Sequence, residues 1–211
     1  MQEMLFQTKA LCYQGFLEYQ DIGIPENKVT FLTGESGSGK STLLKLFNRS
    51  ISPSSGSLLY RGRPIEAYDS IPLRREVSLV SQSAYLFDGT ILENFETVYR
   101  LRECFLPDEA YLEKILRICM LQFPLDQPTA NLSGGEKQRL YIALFLSFAP
   151  PVLLLDEPTS ALDQANAHGM MENLIGFCRE KKMTPIIVSH DRTLVETYQE
   201  CIVELQRRNA V

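Results

Sequence analysis

The stretch GESGSGKST, from Gly34 to Thr42, fits the pattern G-x-x-x-x-G-K-[ST] between an apolar run and a helical pattern. Its glycines let the backbone curl so that successive N–H groups point at phosphate oxygens. We therefore expect Lys40 to reach the β- and γ-phosphates of ATP and the Ser41 hydroxyl to bind Mg²⁺. The acidic side chain of Glu35 is expected to face away from the nucleotide. The predicted ATP-binding residues of this phosphate loop are Gly34, Glu35, Ser36, Gly37, Ser38, Gly39, Lys40, Ser41 and Thr42.

A second stretch, VLLLDEP from Val152 onward, supplies acidic groups for the same site. An apolar strand delivers Asp156 to its carboxyl end, where ligands bind in open α/β sheets. Asp156 is expected to hold Mg²⁺ mainly through water, because this ion gives up its waters reluctantly. Glu157 points in a different direction and is placed to polarise the attacking water as a general base. The two stretches together predict a site that hydrolyses ATP.

Short apolar strands alternate with helical patterns along the chain, which predicts an α/β fold with a mainly parallel sheet. Continuous apolar runs such as VLLLD are typical of strands that are covered on both faces. The segment from about 83 to 132 contains helical patterns without an obvious strand, so we expect it to form an inserted helical lobe. The predicted core strands cover residues 29–33, 77–81, 152–156 and 184–190.

The composition excludes several classes of function. The net charge of -5 argues against a protein that grips DNA or RNA, so no nucleic-acid partner is expected. The five cysteines lack CxxC spacing, which disfavours a zinc site or a disulfide framework. The longest apolar run, from Ile142 to Leu155, is interrupted by Pro150 and Pro151 and predicts a helix end, a turn and a strand. A role at a membrane therefore requires a separate membrane subunit.

Five motifs stand in a fixed order along the chain. They are GESGSGKST, LVSQ ending at Gln82, LSGGEKQR from Leu132 to Arg139, VLLLDEPTSALD from Val152 to Asp163, and IVSHD from Ile187 to Asp191. With these motifs the sequence resembles the ATP-binding-cassette (ABC) ATPases over nearly its whole length.

The resemblance implies a fold and a domain organisation. The fold is an α/β P-loop NTPase with a RecA-like core, an N-terminal antiparallel β-subdomain and an inserted α-helical subdomain. Residues 1–211 would form a single ABC nucleotide-binding domain. Its core and β-subdomain would comprise residues 1–82 and 150–211, and its helical subdomain residues 83–149.

The resemblance also implies roles for residues outside the phosphate loop. Gln82 would sense Mg²⁺ and the γ-phosphate, and His190 would contact the γ-phosphate. The implied catalytic residues are Glu157, His190, Lys40 and Gln82. The implied Mg²⁺-binding residues are Ser41, Gln82 and Asp156.

The LSGGEKQR motif presents a second glycine loop, Ser133–Gly135, at the start of a predicted helix. In the ABC family this Ser-Gly-Gly loop closes over the γ-phosphate held by the partner subunit. The resemblance therefore implies a head-to-tail, ATP-dependent homodimer in which each loop is half of a site. Glu136 stands where the family usually has Gln, outside the phosphate-facing Ser-Gly-Gly. The residues implied in this contact across the dimer are Ser133, Gly134, Gly135, Glu136 and Asp163.

An aromatic residue before the phosphate loop is expected to stack on adenine. Tyr13, Phe16 and Tyr19 compete for this role in a short segment. The sequence CYQGF best matches the family's strand-then-turn pattern, which favours Tyr13. The alternative for Tyr13 is a strand aromatic that packs in the core.

The resemblance favours an ATPase that powers a membrane transporter through a separate membrane-spanning partner. We expect this partner to dock near the segment from Gln82 to Phe95, because SAYLFDGTILENF is similar to the exporter-type version of this region. The closest likeness is to stand-alone ATPases of bacterial metal (iron) exporters. A lipoprotein- or peptide-release ATPase is the alternative. The expected location is cytoplasmic, peripheral on the cytoplasmic face of the inner or plasma membrane.

Soluble ABC ATPases are weaker alternatives. Those of DNA repair and chromosome structure carry a long coiled coil between the two glycine loops, and the distance from Gly39 to Ser133 leaves no room for long heptad arms. Translation-type ABC proteins join two cassettes in one chain, whereas this sequence contains one set of motifs.

Overall fold

A computed structural model of the chain describes residues 3–206 and 208–209. The strands, in chain order, are β1 (Met4–Tyr13), β2 (Leu17–Glu18), β3 (Gly23–Pro25), β4 (Thr30–Gly34), β5 (Ser55–Tyr60), β6 (Arg63–Pro64), β7 (Val77–Val80), β8 (Val152–Asp156), β9 (Thr184–Val188), β10 (Cys201–Leu205) and β11 (Arg208–Asn209). The helices are α1 (Lys40–Phe47), α2 (Ser70–Glu76), α3 (Ile91–Leu101), α4 (Glu109–Ile118), α5 (Gly134–Leu146), α6 (Gln164–Glu180) and α7 (Arg192–Tyr198).

The core of the fold is a five-stranded parallel sheet in the order β10-β4-β9-β8-β7. Every residue of β8 and of β9 is buried, as expected for strands that are covered on both faces. Leu154 of β8 pairs with Leu79 on one side and with Ile186 on the other. The predicted parallel α/β core is confirmed. Because the strands are parallel, their carboxyl ends meet at one edge of the sheet.

A second sheet is antiparallel and has the order β11-β2-β1-β5-β6, with β3 also paired to β1. Phe6 of β1 stacks on Phe47 of α1 with ring centroids 4.3 Å apart, and Tyr60 of β5 lies 5.2 Å from Phe6. These three side chains are fully buried. The aromatic cluster anchors the antiparallel sheet to α1, the helix that follows the phosphate loop. The antiparallel sheet that the family resemblance implied is therefore present.

Helices α3, α4 and α5 lie between β7 and β8 in the chain. A capping box between Thr90 and Glu93 starts α3. The Tyr99 hydroxyl donates to the carbonyl oxygen of Ser147 at 3.0 Å, which ties the end of α3 to the end of α5. The apolar faces of these helices share a buried cluster with α6 and the sheet. The helices thus form a layer inserted beside the parallel sheet.

The apolar run from 142 to 155 forms a helix end, a turn and a strand, as predicted. Helix α5 ends at Leu146, Ala149 turns the chain with φ 42°, and β8 begins at Val152. Within residues 3–206 and 208–209, no helix is long and apolar enough to cross a membrane.

Candidate functional site

The phosphate loop joins β4 to α1, and its path requires glycine at both ends. Gly34 has φ 136°, and a Cβ atom there would lie 2.3 Å from the carbonyl oxygen of Leu205. Gly39 caps α1 with φ 93°, and a Cβ atom there would lie 2.8 Å from Leu17 Cδ2 and from Tyr19 Oη. Any other residue would combine an unfavourable backbone conformation with a clash. The loop therefore keeps close contact with β10 and β2.

Lys40 is the buried cation of this loop, with 6% of its surface exposed. Its ammonium group donates to the carbonyl oxygens of Gly34 at 2.8 Å and Glu35 at 2.9 Å. Burial lowers the pKa of Lys40, and the nearby carboxylates of Glu157 and Asp156 act in the opposite direction. The charge thus lies inside the curve of the loop, within reach of anionic oxygens.

A cavity of about 420 Å³ opens above the phosphate loop. It brings the loop together with three predicted catalytic residues from distant parts of the sequence. Of the predicted loop residues, Glu35 is exposed and does not line this cavity, in line with a side chain that faces away. The lining residues are Phe16, Leu17, Ser36, Gly37, Gly39, Lys40, Ser41, Thr42, Gln82, Glu157 and His190.

Glu157 stands at the centre of the polar wall of this cavity. Its Oε2 accepts a hydrogen bond from Gln82 Nε2 at 3.0 Å, and its Oε1 lies 3.3 Å from His190 Nε2. Gln82 follows β7, Glu157 follows β8 and His190 follows β9, which are adjacent strands of the parallel sheet. The sheet thereby gathers the three side chains at one edge. The carboxylate is thereby held from both sides.

The backbone of Glu157 adopts φ 52°, a conformation that is uncommon for residues other than glycine. Its N–H group donates to the carbonyl oxygen of Val188 at 3.1 Å. Its own carbonyl oxygen accepts from Ser160 N at 3.3 Å and from Ser160 Oγ at 3.1 Å. These bonds turn the chain sharply after β8.

Oxygen donors suited to Mg²⁺ lie beside the phosphate loop. Asp156 is the last residue of β8, is 8% exposed and is close enough to affect the pKa of Lys40. Ser41 presents its hydroxyl from the first turn of α1, and Gln82 presents its amide from the end of β7. Mg²⁺ prefers such oxygen ligands and completes its shell with phosphate oxygens and water. The donor chemistry fits this ion. In the part of the chain that the structure describes, His, Cys, Asp and Glu form no cluster that could hold a metal unaided.

The three aromatic candidates for adenine stacking occupy different environments. Phe16 lies in the turn between β1 and β2, is 59% exposed and lines the cavity. Tyr19 is buried, donates its hydroxyl proton to Gly39 O at 3.0 Å, and has a pKa raised by burial. Tyr13 is half-buried, packs against the apolar cluster that contains Phe6, Phe47 and Tyr60, and accepts a hydrogen bond from Gln14. Phe16, rather than the predicted Tyr13, is thus the aromatic ring along the cavity.

The Ser-Gly-Gly loop (Ser133–Gly135) begins α5, outside the cavity of its own chain. Ser133 caps this helix in a capping box with Glu136. Glu136 Oε2 accepts from both the backbone N–H and the hydroxyl of Ser133, each at 2.7 Å. These two bonds hold the pKa of Glu136 below its usual range. A Cβ atom at Gly134 would meet nothing within 4 Å, so the loop presents an open surface.

The segment Ser160–Asp163 packs beside the Ser-Gly-Gly loop. A Cβ atom at Gly135 would lie 3.5 Å from the Cβ of Ala161. Asp163 caps α6 and accepts a hydrogen bond from the backbone N–H of Asn166 at 3.0 Å. Hydrogen bonds from Asn166 hold the pKa of Asp163 below its usual range. The segment that contains the predicted contact residue Asp163 therefore lies next to the Ser-Gly-Gly loop.

Two residues at the site were not singled out from the sequence. Leu17 lines the cavity, and no sequence signal marks it. Gln138 is 9% exposed and donates from Nε2 to the backbone carbonyl of Glu157 at 3.2 Å. Its place within the LSGGEKQR motif was the available sequence signal for Gln138.

The predicted docking segment, Gln82–Phe95, presents an apolar surface in part. Tyr85 is 68% exposed and makes an edge-on contact with Phe87, with ring centroids 5.4 Å apart. Asn94 exchanges hydrogen bonds with the backbone of Phe87 at 2.9 and 3.0 Å, which fixes the loop on α3. A shallow cavity of about 260 Å³ lies between this loop and Lys137 of α5. Phe95 itself is buried in the core.

Known proteins are similar to this chain in sequence and in fold. The family model described as ABC transporter matches residues 17–160. The probable iron export ATP-binding protein FetA of Escherichia coli K12 is 38% identical over 176 residues, which cover 83% of this chain and 77% of FetA. The achromobactin transport ATP-binding protein CbrD of Dickeya dadantii is 32% identical over 209 residues, which cover 96% of this chain and 78% of CbrD. A dimeric, post-hydrolysis structure of the ATP-binding cassette MJ0796 bound to ADP and Pi superposes with a TM-score of 0.82 at 25% identity, over 97% of each chain.

Proposed function

This chain belongs to the ABC transporter family of ATPases, and we propose that it is the subunit whose ATP hydrolysis drives a separate membrane-spanning transporter. The observation that carries the proposal is the cavity in which the phosphate loop faces Glu157, held between Gln82 and His190. This arrangement provides a phosphate cradle and an oriented base in one enclosure.

The phosphate loop holds the phosphates of ATP through its backbone N–H groups and Lys40. The ammonium group of Lys40, which donates to two loop carbonyl oxygens, transfers these bonds to phosphate oxygens. Ser41, Asp156 and Gln82 would hold Mg²⁺, which would supply positive charge for the β- and γ-phosphates. The loop residues therefore bind and orient the substrate in the position required for in-line attack.

Glu157 takes a proton from the attacking water. The oxygen of this water forms a bond to the γ-phosphorus, while the bond between the γ-phosphorus and ADP breaks. Lys40 and His190 donate to the γ-phosphate oxygens and stabilise their developing charge. Gln82 links this chemistry to the helical layer because it follows β7 and precedes the docking segment. The products are ADP and phosphate.

Phe16 stacks on the adenine ring in this proposal. Its exposure and its place along the cavity support it over Tyr13, which the family pattern favours. Base–aromatic stacking contributes roughly 1–3 kcal/mol. Phe16→Ala should weaken ATP affinity by at least about 5-fold, and Tyr13→Ala should leave it within about 2-fold. If an equilibrium nucleotide-binding assay showed a larger loss of ATP affinity for Tyr13→Ala than for Phe16→Ala, adenine stacking would be assigned to Tyr13.

Two copies of the chain assemble head to tail around ATP. The Ser-Gly-Gly loop lies outside its own cavity and presents an open surface, which supports a contact with the partner's γ-phosphate. Asp163 and Ala161 lie on the same face and extend this contact. The helical part, residues 83–149, carries the Ser-Gly-Gly loop. It would move relative to the rest of the domain, residues 1–82 and 150–211, as the dimer closes and opens.

The membrane-spanning partner docks on the segment Gln82–Phe95. The exposed Tyr85, the half-exposed Leu86 and Phe87, and the cavity next to them support this surface. The chain would then lie on the cytoplasmic face of the inner or plasma membrane. Tyr85→Glu should abolish co-purification with the partner. Ile71→Glu, which changes a similarly exposed residue on α2, is the matched control.

The proposed cargo is a metal ion, with export as the direction, because FetA is named a probable iron export ATP-binding protein and aligns over most of this chain. The test is reconstitution of the chain with its membrane partner in vesicles, followed by ATPase assays with Fe²⁺ and with a lipopeptide. Stimulation by Fe²⁺ alone supports metal export. Stimulation by the lipopeptide alone would favour the release of lipoproteins or peptides.

A further inference from the structure

We propose that Gln138 is a positioning residue that couples the Ser-Gly-Gly loop to the Glu157 of the same chain. The inference rests on the proposed role of Glu157 as the base. It adds a route by which ATP in the partner's site affects hydrolysis in this chain's own site.

The first observation is the contact between Gln138 and Glu157. Gln138 is 9% exposed, and its Nε2 donates to the carbonyl oxygen of Glu157 at 3.2 Å. The N–H group of Glu157 donates to the carbonyl oxygen of Val188 in β9, and the carbonyl oxygen of Glu157 also accepts from Ser160 in the following turn. Gln138 adds a contact from helix α5. A helix side chain therefore helps to hold the backbone that aims the carboxylate.

The second observation is the strained backbone at this point. Glu157 has φ 52°, and such residues persist when their surroundings hold them in place. Loss of one of the bonds to its carbonyl oxygen would allow the peptide to rotate. The carboxylate would then leave its position between Gln82 and His190.

The third observation is that Gln138 and Ser133 belong to the same helix. Ser133 is the N-cap of α5, and Gln138 lies in the second turn, roughly 7.5 Å further along the axis. Gly135 of the same helix start packs against Ala161, close to the turn that follows Glu157. When the Ser-Gly-Gly loop engages the partner's γ-phosphate, α5 moves as a rigid rod and carries Gln138 with it.

These contacts join the two half-sites within one chain. Ser133 faces the partner's nucleotide, whereas Gln138 acts on the base of its own site. Binding of ATP at one site would thus align the base of the other site. Hydrolysis at the two sites would therefore be coupled. Gln138 itself does not touch substrate and is not a catalytic residue.

The test is Gln138→Met, which keeps the length and burial of the side chain but removes the donor. We expect kcat to fall about 10- to 100-fold, because small displacements of a catalytic group have effects of this size. The KM for ATP should stay within about 2-fold, because the phosphate loop is untouched. Gln138→Asn keeps the amide but shortens its reach, and it should lower kcat in the same way. It serves as the second variant if Gln138→Met folds poorly. Leu140→Met, a buried change on the same helix, is the control and should leave kcat within about 2-fold.

A second measurement separates positioning from damage to α5. In a Glu157→Gln background, ATP-dependent dimerisation should have the same midpoint with and without Gln138→Met, because Ser133 still meets the phosphate. A dimerisation midpoint that shifts by as much as kcat falls would overturn the proposal, since Gln138 would then only support the Ser-Gly-Gly loop. Normal kcat in both Gln138 variants would overturn it as well. Failure of the proposed function itself is distinguishable, because Glu157→Gln would then retain turnover.

Discussion

Replacing Glu157 with glutamine removes the proposed base while it preserves the shape of the side chain. The glutamine carbonyl can still accept a bond from Gln82, so the geometry of the cavity should survive. General base catalysis contributes roughly 10²–10⁴-fold, or about 2.7–5.5 kcal/mol in the barrier. We therefore expect kcat to fall by a factor in this range.

The same substitution has an opposite effect on nucleotide affinity. The Glu157 carboxylate is a negative charge in the cavity that receives the phosphates, and it is close enough to affect the pKa of Lys40. Its removal eliminates a repulsion between like charges. ATP affinity should therefore stay equal or rise, and ATP-bound dimers should accumulate.

The assays are steady-state phosphate release and equilibrium binding of a fluorescent ATP analogue. Glu172→Gln makes the same chemical change at an exposed position of α6 and is the control. It should leave both quantities unchanged. A Glu157→Gln variant that retains more than about one tenth of the wild-type turnover would refute the assignment of the base. A variant that loses ATP binding would refute the electrostatic reasoning.

Further substitutions test the phosphate loop, the dimer contact, the buried core and a helix cap. Lys40→Ala removes a charge-assisted donor and should weaken ATP affinity about 10- to 150-fold in the binding assay; unchanged affinity would contradict the phosphate cradle. Ser133→Arg should spare ATP binding by the monomer but abolish ATP-dependent dimerisation in size-exclusion chromatography and turnover. Leu154→Ala, in the middle of β8, should lower the free energy of unfolding by about 2–5 kcal/mol in urea titrations. Asp191 caps α7, and hydrogen bonds from Thr193 lower the pKa of its carboxyl. The stabilisation from this cap is therefore present above the unfolded pKa near 3.9 and is lost as pH falls through the folded pKa. Asp191→Ala should lower the free energy of unfolding by about 1 kcal/mol at pH 7 and by progressively less below pH 4.

Several elements follow directly from local patterns in the sequence. The run at Val152–Asp156 is a strand with the predicted bounds, because its four consecutive apolar residues suit a strand that is buried on both faces. Lys40 begins a helix immediately after the glycines, as the motif requires. The proline pair at 150–151 separates α5 from β8, since the chain cannot continue as a helix there.

Other elements depended on family resemblance because their sequences carry weak signals. The antiparallel sheet contains strands of two or three residues, such as Leu17–Glu18, which show no periodicity of their own. Its position is set by the stacking of Phe6 on Phe47, a contact between residues far apart in the chain. Likewise, Phe16 lines the cavity because the turn after β1 places it there, whereas Tyr13 is half-buried and packs against the apolar cluster that contains Phe6.

The sequence by itself determined the phosphate loop, the acidic strand end and the α/β alternation, because each depends on neighbouring residues and backbone preferences. Only the tertiary structure decided which distant groups meet. Gln82, Glu157 and His190 come together because three adjacent parallel strands end at one edge of the sheet. Gln138 reaches Glu157 because α5 packs beside the turn that follows β8. Such contacts arise from packing between elements, and no periodicity or spacing along the chain encodes them.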